Sequence, residues 1–336
     1  MIEMASIIVR RSFYASASQA RSVGVLGIPM WRGQKKLGTD LAPAKIREDG
    51  RLISGVETVV GKPVRDFGDL DLSSYSQCDK NVTHYMAKTA QSIRKSVIHC
   101  LRECEQLITL GGDHSIAIGT VTGHADYVKE QGRDLAVIWM DAHADINTPM
   151  TTPSGSWHGM PVSFLMHEMM AHLPRIEDFK DWPSSISAHA LVYVGLRDVD
   201  PQERWFLEKL QVPNFSMREL DALGIHKVTE IALDKVDPLG RKSLHVSFDI
   251  DCLDPLVAPS TGTPVPGGMS LREVAVLAEA IASTHSLTVF DLVEVNSLIG
   301  SYEDASKTIQ SAALITRWMF GDGRQGNTSS SGTLES

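Results

Sequence analysis

Six short apolar runs punctuate the chain, at Ser22–Gly27, Leu107–Leu110, Leu135–Met140, Leu191–Leu196, Leu244–Phe248 and Leu287–Phe290. Each is bounded by Gly, Asp or other polar residues, the pattern of a strand buried on both faces. Between them, residues with helical periodicity predict helices over Pro43–Leu52, Val82–Glu105, Pro161–Met170, Gln202–Leu210, Leu271–Thr284 and Asp304–Phe320. Ser270 followed three residues later by Glu273 is a capping-box signature for the fifth of these. Strands alternating with helices imply an α/β fold with a mostly parallel sheet covered on both faces. Neither an internal repeat nor an interior linker interrupts the pattern, so one domain is expected over residues 23–322.

The two ends break the pattern. Residues 1–22 carry Arg10, Arg11 and Arg21, five serines and a single acid, Glu3. A basic, Ser-rich, acid-poor start is the composition of a mitochondrial transit peptide, against a simply frayed N-terminus. Residues 323–336 are rich in Gly, Ser and Thr and read as a flexible C-terminal tail.

Composition then narrows the function. At 336 residues, with 43% hydrophobic and 22% charged residues, the chain is globular and long enough for a large α/β domain. Its formal charge of −9 and the lack of any Lys/Arg-rich run argue against a nucleic-acid partner. No apolar stretch is long enough to span a bilayer as a helix, so no membrane partner is expected. The cysteines Cys78, Cys100, Cys104 and Cys252 form no C-x-x-C pair and suggest reduced thiols in the mitochondrial matrix or, alternatively, the cytoplasm. Cys100 and Cys104, one helical turn apart, read as part of a half-buried helix face.

The chemistry gathers where strands end. Gly111-Gly112-Asp113-His114-Ser115 follows the second run, Asp141-Ala142-His143-Ala144-Asp145 the third, and Asp249-Ile250-Asp251 closes the fifth. Open α/β sheets bind ligands beyond the carboxyl ends of their strands. In extended backbone, residues two apart share a face, so Asp141, His143 and Asp145 point together, as do Asp249 and Asp251. His114 adds a second imidazole. Four clustered carboxylates raise one another's pKa unless cations neutralise them. Carboxylate oxygen with imidazole nitrogen and no thiolate suits Mn²⁺, and less selectively Zn²⁺ or Fe²⁺. Two such ions about 3.5–4 Å apart can share one water and lower its pKa toward neutrality. A lone Asp-x-Asp after a strand is usually a turn or cap; three such clusters at three strand ends are not.

Ile146–Gly159, rich in hydroxyls and amides and carrying His158, and the four-proline loop Asp254–Gly268 read as walls of the same site. Glu294, an acid in the apolar last strand region, needs a partner, and a cationic substrate is one candidate.

In order, GGDHS, DAHAD, SFDID followed by DP, GTPVPGG and EVN resemble the ureohydrolase family. More narrowly, DAHADINTP, SG-x-x-HG and GLRDVDP resemble the arginases, over nearly the whole chain from Arg21 to Phe320. The resemblance implies a parallel eight-stranded sheet and hydrolysis of L-arginine to L-ornithine and urea by a metal-bridging hydroxide. It implies two Mn²⁺ per subunit, one held by His114, Asp141, Asp145 and Asp249, the other by His143, Asp141, Asp249 and Asp251. Glu294 is similar to the acid that binds the guanidinium, His158 to the proton-shuttling histidine, and Asp145 would help protonate the leaving amine. Asn147, Thr152 and Ser154 map onto contacts of the substrate α-carboxylate, and Asp200 and Glu203 onto contacts of the α-amino group, with Thr263 near the metals. The family pattern SGNLHG becomes Ser154-Gly155-Ser156-Trp157-His158 here, so Ser156 stands where an amide is usual. The resemblance also implies a homotrimer, since Arg272-Glu273 is similar to a pair at the arginase subunit interface. Within the family, an agmatinase or guanidino-acid hydrolase would keep all six ligands, and Asn147, Ser154 and Asp200 favour an amino-acid substrate over it. A metallophosphatase would need a G-N-H-E-like segment that is absent, and a degenerate non-enzyme would not keep the full ligand set.

Overall fold

The computed structural model describes residues 22–78 and 81–324; the N-terminal segment read as a transit peptide, but for Ser22, and most of the C-terminal tail lie outside them. One eight-stranded sheet forms the centre, every pairing parallel. Its strands in chain order are β1 (Val23–Ile28), β2 (Arg65–Asp69), β3 (Gln106–Gly111), β4 (Leu135–Met140), β5 (Leu191–Leu196), β6 (Asn214–Ser216), β7 (Ser243–Asp249) and β8 (Leu287–Val293). In space they run β2-β1-β3-β8-β7-β4-β5-β6.

All six expected strands are present, and two edge strands join them. Sequence periodicity passes over β2 because its five residues, Arg-Asp-Phe-Gly-Asp, are polar and mostly exposed. It passes over β6 because three residues are too few to show any period. Charged, short edges are also how parallel sheets avoid pairing with other chains.

Helices α1 (Ala42–Asp49), α2 (Arg51–Val60), α3 (Val82–Glu103), α4 (Ala117–Glu130), α5 (Pro161–Leu165), α6 (Pro201–Lys209), α7 (Met217–Leu223), α8 (Ile225–Val236), α9 (Leu271–Thr284) and α10 (Tyr302–Met319) cover both faces. On one face, Val25, Ile108, Phe248 and Leu292 of the strands pack with Ile46, Leu52, Val228, Val274 and Ile315. On the other, Leu26, Leu107 and Val289 meet α3, and Trp139 and Tyr193 meet α4, α5 and α6. The helix expected over Pro43–Leu52 divides at Gly50, whose φ of 73° only glycine adopts without strain. The helix expected over Pro161–Met170 stops at Leu165, because extended Met166 bridges Ile186, and a 3₁₀ turn follows at His167–Ala171. Helix α4 shows no amphipathic stripe because its first eight residues, Ala117–His124, are all buried. The capping box at α9 forms as expected, with Ser270 N–H donating to Glu273 Oε2 at 2.7 Å.

Cys100 and Cys104 are free and buried, and burial pushes their thiols up to about 12 and about 11. They are inert apolar groups. Arg324, at the start of the expected loose tail, is held by a bidentate pair with Glu279 at 2.8 Å from each nitrogen. Among the described residues no helix is long and apolar enough to cross a membrane.

Candidate metal centre and active site

The carboxyl ends of β3, β4, β7 and β8 meet at the middle of the sheet, and the segments that leave them carry the polar clusters. His114 enters on the 3₁₀ turn after β3, Asp141 through Asp145 after β4, and Asp249 with Asp251 at the end of β7. His114 Nδ1 lies 3.1 Å from one oxygen each of Asp141, Asp145 and Asp249. His143 Nδ1 lies 3.3 Å from Asp141 and 3.2 Å from Asp251. The two constellations, His114-Asp141-Asp145 and Asp141-His143-Asp251, share Asp141.

This donor set fits divalent cations. A single imidazole proton cannot satisfy three carboxylate oxygens at equal distance. The other nitrogen, His114 Nε2, is already engaged at 2.9 Å with Ser247 Oγ. An octahedral ion with donors at about 2.1 Å sets neighbouring donors about 3.0 Å apart, close to the spacings found here. All donors are oxygen or imidazole nitrogen.

Surrounding residues hold the donors in place. The His114 ring stacks on Trp139 with centroids 4.2 Å apart, and Trp139 Nε1 donates to Asp141 Oδ2 at 2.9 Å. Asp141 also accepts the His143 N–H at 2.8 Å, Asp249 the Asp251 N–H at 2.9 Å, and Asp251 the Thr263 hydroxyl at 3.0 Å. Such partners orient ligands and tune their basicity. Asp145 and Glu294 both have positive φ, 50° and 65°, which non-glycine residues adopt at a cost and mostly at functional sites.

The charges follow the packing. Burial and the neighbouring Asp141 push Asp145 up to about 6. Burial, then Asp251 and Asp141, raise Asp249 well above the usual carboxylate range. Against the upward push of burial, hydrogen bonds from His114 and His143 hold Asp141 below it. Without a cation the cluster thus keeps protons that carboxylates ordinarily lose.

A cleft of about 350 Å³ opens above this floor, lined by His143, Asp145 and Asp249 below and by Asn147, Thr152, Ser154, Ser156, His158, Asp200, Glu203 and Thr263 on its walls. These expected residues therefore face one space, whereas Glu294 lies fully buried and is not among the lining residues, and of the loop 254–268 only Thr263 reaches the cleft. The roles inside it are less uniform than the resemblance implies. Both oxygens of Glu203 accept backbone N–H bonds, from Ile146 at 3.1 Å and Asp200 at 3.0 Å. Burial and the charge of Asp145 push its carboxyl up to about 8. Glu203 shapes the wall and caps α6, whereas Asp200, tied to Asn147 Nδ2 at 2.9 Å, lies nearer the opening. Glu294 finds its partners inside the chain rather than waiting for a substrate. His158 Nδ1 is 3.0 Å from Oε1, the His114 N–H donates to Oε1 at 2.8 Å, and Gln34 Nε2 donates to Oε2 at 2.5 Å. Against the downward pull of burial, the charge of Glu294 lifts His158 to about 9.

Sequence reasoning missed Gln34, Lys35 and Lys36 after β1, and Asp198 after β5, which all line the cleft. The available signal was position alone, since each is polar and just beyond a strand's carboxyl end.

A profile of the Arginase family matches residues 21–321. The chain belongs to the arginase family. It is 42% identical over 318 residues to rat "Arginase-2, mitochondrial", covering 93% of this chain and 88% of that protein. The arginase structure from Bacillus cereus superposes with a TM-score of 0.78 at 33% identity, over 91% of this chain and all of that one (100%). An Entamoeba histolytica arginase solved in complex with L-ornithine superposes with a TM-score of 0.77 at 27% identity, over 90% of this chain and 100% of that one.

Proposed function

We propose that this chain hydrolyses the guanidinium group of L-arginine to L-ornithine and urea. The observation that carries the proposal is Asp141 shared between the His114 and His143 constellations at the floor of a cleft whose walls suit an amino acid. His114, Asp141, Asp145 and Asp249 would hold one Mn²⁺, and His143, Asp141, Asp249 and Asp251 the other. When bound, the pair supplies the positive charge that brings a water's pKa near neutrality.

The chain's own residues do the rest. Guanidinium is planar, cationic and forked, and a carboxylate matches it edge to edge. Glu294, now paired with His158, is the carboxylate that an entering guanidinium engages. That exchange frees His158, protonated at neutral pH, to deliver a proton to the leaving side-chain amine. Asp145, lining the same cleft as His158, is placed to help protonate the leaving amine. Asn147, Thr152, Ser154 and Ser156 offer neutral donors to the α-carboxylate, and Asp200 accepts from the α-ammonium. Thr263 steadies Asp251.

The reading extends to the mitochondrial matrix, supported by the rat relative's printed location and by the composition of residues 1–22, and to a homotrimer, supported by the resemblance of Arg272-Glu273 to an arginase interface pair. Sedimentation and organelle import of the full chain test those parts. Urea release from L-arginine, agmatine and guanidinobutyrate with added Mn²⁺ tests the chemistry. L-Arginine is expected to be the preferred substrate, and turnover of agmatine alone would overturn the proposal.

A further inference from the structure

The cleft mouth is electrically lopsided, and the strand order explains why. Strand β1 is second in the sheet and β5 seventh, so the segments that follow them flank the cleft from opposite sides. The β5 side brings Asp198, Asp200 and Glu203; the β1 side brings Lys35 and Lys36. The loop carrying the Thr152, Ser154 and Ser156 hydroxyls runs from one side to the other, its far end meeting the β1 side where the His158 N–H donates to the Gly33 carbonyl at 3.1 Å. Its near end is tied to the acids by Asn147, which accepts from Thr151 Oγ1 at 2.9 Å and donates one Nδ2 hydrogen to Asp200 Oδ2 at 2.9 Å, leaving the other for a ligand.

The lysine segment is pinned at three points. Gly33 N–H donates to Asp113 Oδ2 at 2.7 Å, and Gln34 Nε2 to Glu294 Oε2 at 2.5 Å. Lys36 Nζ donates to the Gly262 carbonyl. Lys36 is thereby committed to the backbone. Lys35 sits between two anchored side chains, lines the cleft, and enters none of the ion pairs of the described residues.

We propose that Lys35 is the cationic anchor for the substrate's α-carboxylate and so a determinant of specificity for amino acids over their decarboxylated analogues. The inference rests on the arginine-hydrolase reading and deepens it. The loop hydroxyls of the cleft, Thr152, Ser154 and Ser156, are neutral and bind a carboxylate less strongly than a charged donor. An α-amino acid carries its carboxylate and ammonium on one carbon. A mouth positive on the β1 side and negative on the β5 side sets the rotation of that carbon while the side chain descends to the floor. The pinned backbone lowers the ordering cost of holding Lys35 there, and its flexible stem lets the ammonium follow the carboxylate.

Steady-state urea release and calorimetric binding of L-ornithine and 1,4-diaminobutane, with wild type, Lys35→Gln, Lys35→Glu and Lys35→Arg, test this. Lys35→Gln should raise KM for L-arginine and weaken L-ornithine about ten-fold, the loss of one charge-assisted contact. The kcat should change less than about three-fold, since the group is remote from the reacting carbon. Lys35→Glu should be worse and Lys35→Arg should restore most of the affinity. Binding of 1,4-diaminobutane, which has no carboxylate, should not weaken in any of them. An active wild type whose KM and L-ornithine affinity are unmoved in Lys35→Gln overturns the anchor and leaves the hydrolase reading intact. Equal weakening of L-ornithine and 1,4-diaminobutane also overturns it. A wild type that neither binds L-ornithine nor releases urea overturns both.

Discussion

At the scale of single residues, Asp141 does the most. It lies within 3.3 Å of both His114 and His143 and takes hydrogen bonds from Trp139 and its own neighbour's backbone. Asp141→Ala or Asp249→Ala should therefore abolish metal retention and lower urea release by three or more orders of magnitude, on the scale of losing an essential catalytic part. Metal analysis beside the assay checks it, and near-normal turnover in either variant would refute the assignment. Among the described residues the His158 side chain hydrogen-bonds to Glu294 and to no metal-ligand side chain, so His158→Asn should lower kcat while leaving bound metal near wild type. Its raised pKa also sets a sign for stability. The folded chain holds this proton up to about pH 9, whereas an unfolded histidine releases it near 6.5. The stabilisation is full below 6.5 and disappears as pH rises through about 9. Denaturant unfolding of wild type and His158→Asn should give a gap of up to a few kcal/mol at pH 6 that closes by pH 9.5.

At the scale of elements, the site depends on how closely the strand ends approach. Gly112 accepts the Glu294 N–H at 2.9 Å and donates to the Ile28 carbonyl at 2.9 Å, so it ties β1, β3 and β8 together just before His114. A Cβ there would fall 1.7 Å from the Met30 carbonyl oxygen. Gly112→Ala should cost about 3 kcal/mol or more, and it should loosen metal binding because His114 and Glu294 move with the backbone. Ser270→Ala, which removes the cap of α9 on an outer helix, should cost only about 1 kcal/mol and leave metal binding and kcat unchanged. Equal behaviour of the two variants would show that strand-end geometry does not govern the site. The elements themselves were legible where burial was two-sided or amphipathic, as in β4, β7 and α9. They were illegible where context overrode pattern. Met166 is extended only because Ile186 comes alongside it, and α4 has no polar face for most of its length because other elements surround it.

At the scale of the whole molecule, the chain stores unfavourable charge at its centre. Asp141, Asp145, Asp249 and Asp251 are all nearly or fully buried around two imidazoles. Divalent cations bound to the folded chain and not to the unfolded one stabilise it by mass action, about 4 kcal/mol at a thousand times Kd. Chelation should lower Tm by on the order of 10 °C, and Mn²⁺ should restore it while Na⁺ at equal ionic strength does not. A Tm indifferent to chelator would argue that the cluster holds no ion.

The sequence by itself determined which residues are chemical and on which strand ends they stand. Their place directly after an apolar run brings Asp141, His143 and Asp145 to one strand end, but not as an extended face: the backbone bends after Met140 and Asp145 turns to a φ of 50°; the alternation of apolar runs with helical periods makes the sheet parallel. Tertiary structure alone decided what those residues do to each other. Asp141, Asp249 and His114 come from separate strands, and only the order β3-β8-β7-β4 brings both carboxylates within 3.1 Å of the His114 ring. The partners of Glu294, the backbone duty of Glu203 and the placing of Lys35 opposite Asp200 have the same origin. Hydrogen bonds and Coulomb forces act over a few ångströms, and distance across a sheet is written in strand order, which no local pattern of residues records.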